Sequence, residues 1–385
     1  MAYEIEISSN LSDYARENAE MTTSKVGKFS VDGSRSILHD DSSLRYLYNE
    51  HMKKANFNVD LNQGYKAYIE RVKDNDELDI LLNWLNRRFP IGGNLKQQID
   101  NADFVLHGDI LSRIATSLYD KSTKWAFQAI RIKNIIFIQE VPYETTTAPS
   151  QLAARLETII SITPVSPSTL PTLAASAIAG KENPKSPKKS HQTEEEKQAL
   201  YTKAKFVQYM TIEKPGVTPV TITPINHKQA YVNVFHSLLI GSDGRRLEIF
   251  YSTEIDAVDK SGRSHQLEVI KGRDVSTSYW ATEMKRIWMN LHLIGGAGLV
   301  LGHCSVDWIM NKISQFSIDQ IEKKSNLNAN ACRALLFRVL NVVNTNVPMD
   351  GDTCTVKISD DHVILFQKPG NAAEFVDTNL VANFS

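Results

Sequence analysis

The stretch Leu247 to Asp274, LEIFYSTEIDAVDKSGRSHQLEVIKGRD, concentrates side chains that could do chemistry. Glu254 and Asp256 stand two apart in a strand-like run, which puts both on one face. Glu268 falls on the next strand-like run, after the turn Asp259 to Ser264. Three carboxylates brought together repel one another unless a cation neutralises them. Hard oxygen donors of this kind suit Mg2+ or Mn2+. The competing reading is an amphipathic hairpin whose charges face water, and spacing alone leaves it open.

An acidic pair followed by an acidic residue and a lysine on an adjacent strand also resembles the broad PD-(D/E)xK nuclease pattern. There the carboxylates hold metal and the lysine orients water or steadies developing charge. Lys271 is the lysine available, three residues after Glu268.

The elements that must position these residues are legible around them. Ala230 to Ile240 and Leu247 to Asp256 are strand-like runs joined by the turn Gly241-Ser-Asp-Gly244. His265 to Ile270 is a third strand. A helix follows with Trp280, Met284, Ile287, Trp288 and Leu291 on its apolar face, leaving Lys285 and Arg286 outside it as candidate phosphate contacts. Gly296 to Cys304 reads as a buried strand, Val306 to Ile321 and Cys332 to Val343 as helices, and Thr355 to Gln367 as a hairpin across Asp360-Asp361. Toward the N-terminus, Leu78, Leu81, Leu82 and Leu85 share a helix face before Pro90. Phe127 to Ile138 reads as a hairpin about Lys133-Asn134. The glycines Gly295, Gly296 and Gly298 follow a helix, so a tight turn is favoured over a phosphate cradle. His303-Cys304 reads as a buried strand end. Trp280 and Trp288 read as core.

Thr163 to Gln192 carries five prolines and no aromatic residue, the composition of a disordered loop, and the interruption is drawn at about 145–199. The remainder predicts one α+β domain, a mixed central sheet flanked by helices, over 1–385. With 43 basic and 44 acidic residues the net charge is -1, which excludes a uniformly basic nucleic-acid binder but allows a local groove. Cys304, Cys332 and Cys354 form neither a zinc pattern nor a paired framework, which fits a reducing compartment. The opening MAYEIEISSN resembles no secretion signal, and Leu291 to Gly302 is too short to span a bilayer. These features predict an intracellular chain without a membrane segment.

Several ordered blocks resemble the DXO family of decapping exoribonucleases. They are Val26-Gly-Lys-Phe-Ser-Val-Asp32 with Leu44-Arg45-Tyr46; Asn58 to Arg88 with Leu82-Asn83-Trp84-Leu85; Lys205-Phe-Val-Gln-Tyr-Met210 leading to Lys214-Pro-Gly216; Glu254-Ile-Asp256; Glu268; and Trp288 to Gly302. The resemblance implies a PD-(D/E)xK-like core and two-metal hydrolysis at RNA 5′ ends. It implies a metal set of Glu254, Asp256, Glu268 and Val269, and catalytic roles for Glu254, Asp256, Glu268 and Lys271. It implies substrate contacts from His107, Asn290, Lys285 and Arg286. Mg2+ or Mn2+ would be the cofactor, with one ion or none if the site is degraded, and no haem or nucleotide cofactor is implied. The partners implied are single-stranded RNA 5′ ends and a protein of RNA decay, in the nucleus, the cytoplasm or both.

The sequence departs from the family at telling positions. His107-Gly108 stands where the family has arginine-glycine, Val207 where it has glutamate, Ile270 where it has lysine, and Asn290 where it has glutamine. A one-residue offset on a strand reverses a side chain's direction, so Lys271 replaces the missing lysine only if a bulge intervenes. Loss of one electrostatic stabiliser costs roughly 10²–10³ in rate. The expectation is a family member with weakened or absent catalysis. An active decapping hydrolase and 5′-3′ exoribonuclease, and a non-catalytic partner of an RNA-processing complex, are the alternatives.

Overall fold

The computed structural model describes residues 3–54, 58–71, 77–88, 93–143, 193–272, 275–359 and 362–368; the loop expected over 163–192 lies outside them. Two mixed sheets carry the fold. The larger runs, in order, Tyr3–Ser8, His362–Lys368, Thr353–Ser359, Trp125–Ile132, Ile135–Val141, Phe104–His107, Arg246–Glu254, Ala230–Ile240, Glu20–Val31 and Ile37–Leu38. Most neighbours are antiparallel, but 104–107 runs parallel to both 246–254 and 135–141. The smaller sheet runs Val59–Asp60, Ile309–Ser317, Gly298–Cys304, Ser264–Lys271, Ala257–Val258, Tyr46–Leu47 and Thr211–Ile212. The mixed α+β class is as expected, with two sheets in place of one central sheet.

The near-continuous apolar runs follow from burial on both faces of the larger sheet. Leu247, Ile249 and Tyr251 point into a core shared with the helices Gly108–Thr116, Glu283–Leu293 and Ala329–Asn346. Phe250 points the other way, into a core shared with the helix Glu77–Arg88, where Leu78, Leu81, Leu82 and Leu85 are buried as their spacing predicts. The smaller sheet lies between the first core and the helix Glu194–Met210, whose Phe206 and Met210 pack on Leu267 and Val300. Among the described residues, no helix is long and apolar enough to cross a membrane.

Three expectations are corrected. The interruption does not extend to residue 199, because Glu194–Met210 is helical; Thr193 Oγ1 accepts from Glu196 N and the Glu196 carboxylate accepts from Thr193 N, a capping box. Residues 306–321 are not one helix: Ile309–Ser317 is a strand paired antiparallel with 298–304, and only Ile318–Ser325 is helical. The spacing of Ile309, Met310, Ile313 and Phe316 suits a helix, but the open edge of the buried 298–304 strand recruits it as a strand instead. The helix carrying both tryptophans is broken at Thr282 into Thr277–Ala281 and Glu283–Leu293.

The expected turns are in place. Lys133 and Asn134 both take positive φ between strands 125–132 and 135–141, the geometry of a tight hairpin turn. Gly298 is a required glycine, since a Cβ there would stand 2.3 Å from the Phe316 carbonyl oxygen.

Candidate active-site groove

Parallel neighbours 104–107 and 246–254 end together, with His107 opposite Ser252, so His107 and Glu254 emerge at the same end of the larger sheet. The chain must turn at once from His107 into a helix. Gly108 permits this, because a Cβ there would meet Thr253 Oγ1 at 2.2 Å. Beyond Glu254 the strand ends, so Asp256 does not project by strand alternation as the spacing suggested. It lies in the connection to 257–258, and its carboxylate accepts a hydrogen bond from Leu267 N at 2.8 Å.

That bond explains how the second sheet meets the first. On strand 264–271 the short 257–258 strand reaches only Ser264 and His265. From Gln266 onward the 264–271 strand has no ladder partner on that side among the described residues, and Asp256 takes the place of one. Glu268 therefore faces an open groove. The groove is lined by Glu254, Asp256 and Glu268, by Lys203 and Leu200 of helix 194–210, and by Arg286 and Asn290 of helix 283–293, with His107 and Asp109 at one side and Arg71 at another. Arg286 and Asn290 are four residues apart, one helical turn.

The groove's charge is balanced from within. Lys203 Nζ lies 2.8 Å from Glu268 Oε1, with side chains 35% and 16% exposed. Gln266 Nε2 donates to the same oxygen at 2.9 Å. Arg71 Nη1 lies 2.5 Å from Glu254 Oε1. Arg286 is bound by Glu283, with Nη2 2.7 Å from Oε2. Burial pushes the Asp256 carboxyl above the usual carboxylate range; Glu268 and Glu254 add to the rise and Lys203 offsets part of it. Burial works against the Lys203 charge, yet Glu268 first and Asp256 second outweigh it and hold the ammonium more firmly protonated than usual.

Not every expected residue arrives. Lys271 lies on the opposite face of its strand from Glu268, because the register with 298–304 is unbroken from His265 to Lys271 and no bulge restores its direction. Its Nζ pairs with Glu195 at 3.0 Å and sits 4.7 Å from the Trp308 ring centre. The structure thus does not bring Lys271 to the Glu268 face of its strand, and Ile270, which is on that face, is buried in the main core. Lys285, expected as a substrate contact, is not among the residues lining the groove: it is 8% exposed, with Nζ 3.6 Å from the Tyr119 ring centre. Val269 borders the groove, where its only possible donor to a metal is its carbonyl oxygen. Val207 packs against the core beneath helix 194–210. His303 and Cys304 are buried, the latter with its thiol pushed up to about 12 by burial, so neither is poised as a nucleophile.

Lys203 and Arg71 were not anticipated. Lys203 had a signal, since it stands one helical turn before Val207 and faces the groove with Glu196, Ala199 and Leu200. Arg71 had none, because nothing local ties it to Glu254, 183 positions away.

A divalent ion does not fit the residues as they stand. Glu254 and Glu268 are bound to cations of the chain itself, Asp256 holds a backbone N–H, and the helix offers Val207 where the family has glutamate; of the other carboxylates lining the groove, Glu196 accepts from Thr193 N and Asp109 lies beside His107. Among the described residues, no group of three or more His, Cys, Asp and Glu side chains is arranged to hold a metal ion.

A groove of paired carboxylates and basic side chains, set where two mixed sheets meet, defines a nuclease-like architecture. The sequence matches the family described as RAI1 like PD-(D/E)XK nuclease over residues 22–160 and 176–377, and the chain belongs to that family. It is 22% identical over 315 residues to the decapping nuclease dom-3 of Caenorhabditis elegans, covering 80% of this chain and 70% of that protein. It is 25% identical over 309 residues to the human decapping and exoribonuclease protein, covering 76% and 66%. Among solved structures, S. pombe Rai1 in complex with 3′-FADP shares the fold with a TM-score of 0.67 at 14% identity, covering 96% of this chain and all of that one. Candida albicans Rai1 in complex with pU5-Mn2+ gives 0.68 at 14%, covering 98% and 95%.

Proposed function

We propose that the groove receives the 5′ end of single-stranded RNA and that the chain hydrolyses it weakly or not at all. The observation that carries this reading is the state of the carboxylates. Glu254, Asp256 and Glu268 are retained in one groove, yet their partners are Arg71 and Lys203. Where the family resemblance implies a glutamate, a lysine and an arginine to assist phosphate hydrolysis stand Val207, Ile270 and His107, two apolar side chains and an imidazole that cannot fork onto phosphate as a guanidinium does. Arg286, Asn290 and His107 line the groove and supply hydrogen-bond donors for phosphate oxygens.

The relatives' names support the substrate class, because the worm and human proteins are decapping enzymes and the Candida albicans neighbour was solved with pU5 and Mn2+. Strands from both sides of residues 144–192 enter the same sheet, which supports reading 1–385 as one unit. A role in RNA 5′-end metabolism fits the nucleus, the cytoplasm or both, and admits a protein partner.

The test is incubation of the purified chain with 5′-triphosphate, 5′-monophosphate, unmethylated-cap and nicotinamide-capped RNAs, with Mg2+ or Mn2+. The expected outcome is binding of 5′-monophosphate RNA with no cap or nucleotide released above the rate of a Glu254→Ala control. Release that Glu254→Ala abolishes would establish the active hydrolase instead. The carboxylates it would use are all retained.

A further inference from the structure

We propose that Lys203 is the resident cation of this groove: its ammonium neutralises the converging carboxylates in place of a divalent ion, so that the site binds neither Mg2+ nor Mn2+ and keeps its shape without them. The inference takes only its location from the 5′-end reading.

Three carboxylates facing one groove need positive charge from somewhere. Here it comes from two side chains, one on helix 194–210 and one on the segment that follows Ala67. Lys203 Nζ lies 2.8 Å from Glu268 Oε1, and Asp256 is the next carboxylate to act on the same ammonium. Arg71 holds Glu254. A lysine supplies three donors and one charge at a point, a compact substitute for a small cation. Helix 194–210 presents it directly, since its 196, 199, 200 and 203 positions face the groove while position 207 turns into the core. A divalent ion entering this space would meet a fixed positive charge and would have to displace Nζ from Glu268. The helix offers Val207 where the family has glutamate, and its one carboxylate lining the groove among the described residues, Glu196, already accepts from Thr193 N.

The helix therefore brings two features together, a cation at 203 and an apolar residue at 207 where the family has glutamate. Each alone weakens a metal site. Together they leave a groove whose converging carboxylates are neutralised by the chain itself, with Arg286, paired to Glu283, and His107 at its side as hydrogen-bond donors for an anionic ligand.

The test uses the full chain. Mn2+ is titrated at neutral pH and free ion followed by its electron paramagnetic resonance signal, for the wild type, Lys203→Met and Lys203→Glu. The expected result is no saturable binding by the wild type at millimolar Mn2+ and acquisition of a saturable site by Lys203→Glu. Thermal midpoints are compared in chelator and in Mn2+. The wild type should not move, whereas Lys203→Met should melt lower in chelator and recover with the ion. Saturable wild-type binding of Mn2+ with a matching rise in midpoint overturns the proposal, and that measurement stands even if a variant does not fold. Binding of a 5′-monophosphate oligonucleotide is read separately by fluorescence anisotropy. Its absence would count against the 5′-end reading and leave the metal result untouched.

Discussion

Lys285 and Arg286 are adjacent in sequence and opposite in consequence. Lys285 is buried over Tyr119, where its methylene stem packs and its charge faces a ring. Lys285→Ala should lower stability by about 2 kcal/mol in urea denaturation and leave RNA affinity unchanged in anisotropy titrations. Weakened RNA binding at unchanged stability would put Lys285 in the groove after all. Arg286 faces the groove, so Arg286→Ala should do the reverse and weaken 5′-monophosphate RNA binding about tenfold at nearly constant stability, the scale of one lost charge-assisted contact. The sequence distinguishes both residues from the apolar face of their helix. It does not say which one the neighbouring 108–116 helix and Tyr119 would cover, because that depends on the crossing of two helices. The retained acids were readable at this scale because their two-residue spacing survives in the chain. Their cationic partners were not, because Arg71 and Lys203 reach them only through tertiary packing.

Among the elements, helix 194–210 and the turn before strand 264–271 set the groove's two walls. Thr193→Ala removes half of the capping box at the helix start and should cost about 1 kcal/mol, seen as a lower thermal midpoint. The turn is pinned by Asp259, which accepts from Ser261 N and Oγ at 2.9 and 2.6 Å and from Arg263 N at 3.0 Å. Burial alone would raise its carboxyl, but the hydrogen bonds from Ser261, Arg263 and His265 win and hold it well below the usual carboxylate range. A carboxyl depressed in the folded state stabilises the fold fully at neutral pH, and loses that contribution as pH falls below the unfolded value near 4 toward the folded one. The stability gap between wild type and Asp259→Asn should therefore be largest at pH 7 and narrow progressively below about pH 4 in pH-dependent urea melts. A gap independent of pH would show that Asp259 acts by shape alone. The hairpins and the leucine-rich helix were legible because their determinants are local, in turn residues and apolar spacing. Residues 309–317 were misread because short apolar runs fit either period, and the choice was made by the buried strand beside them. The cap at Thr193-Glu196 was legible in principle, since the pattern of threonine with glutamate three residues later is present in the sequence.

At the scale of the whole molecule, a net charge of -1 leaves little long-range attraction for RNA, so the proposed 5′-end affinity would have to come from the groove. With Arg286 the groove cation assigned to phosphate and a loss of roughly 0.7 per phosphate for single strands, log K should fall against log salt with a slope of about -0.7. A slope several times steeper would mean that a wider basic surface engages the strand. Fold class could be read from the order of strands and helices. The division into two sheets could not, because it rests on which edges close, and no local pattern encodes that. The three cysteines carry a further consequence. Cys304, Cys332 and Cys354 are free and buried, each with its thiol pushed up to about 12 by burial, so at neutral pH almost no thiolate is available to react. They sit in the smaller sheet, in a helix of the main core and in the larger sheet respectively. Thiol labelling under mild denaturant thus becomes a three-channel clock of opening. The order in which the three positions take up label reports which layer of the protein lets go first.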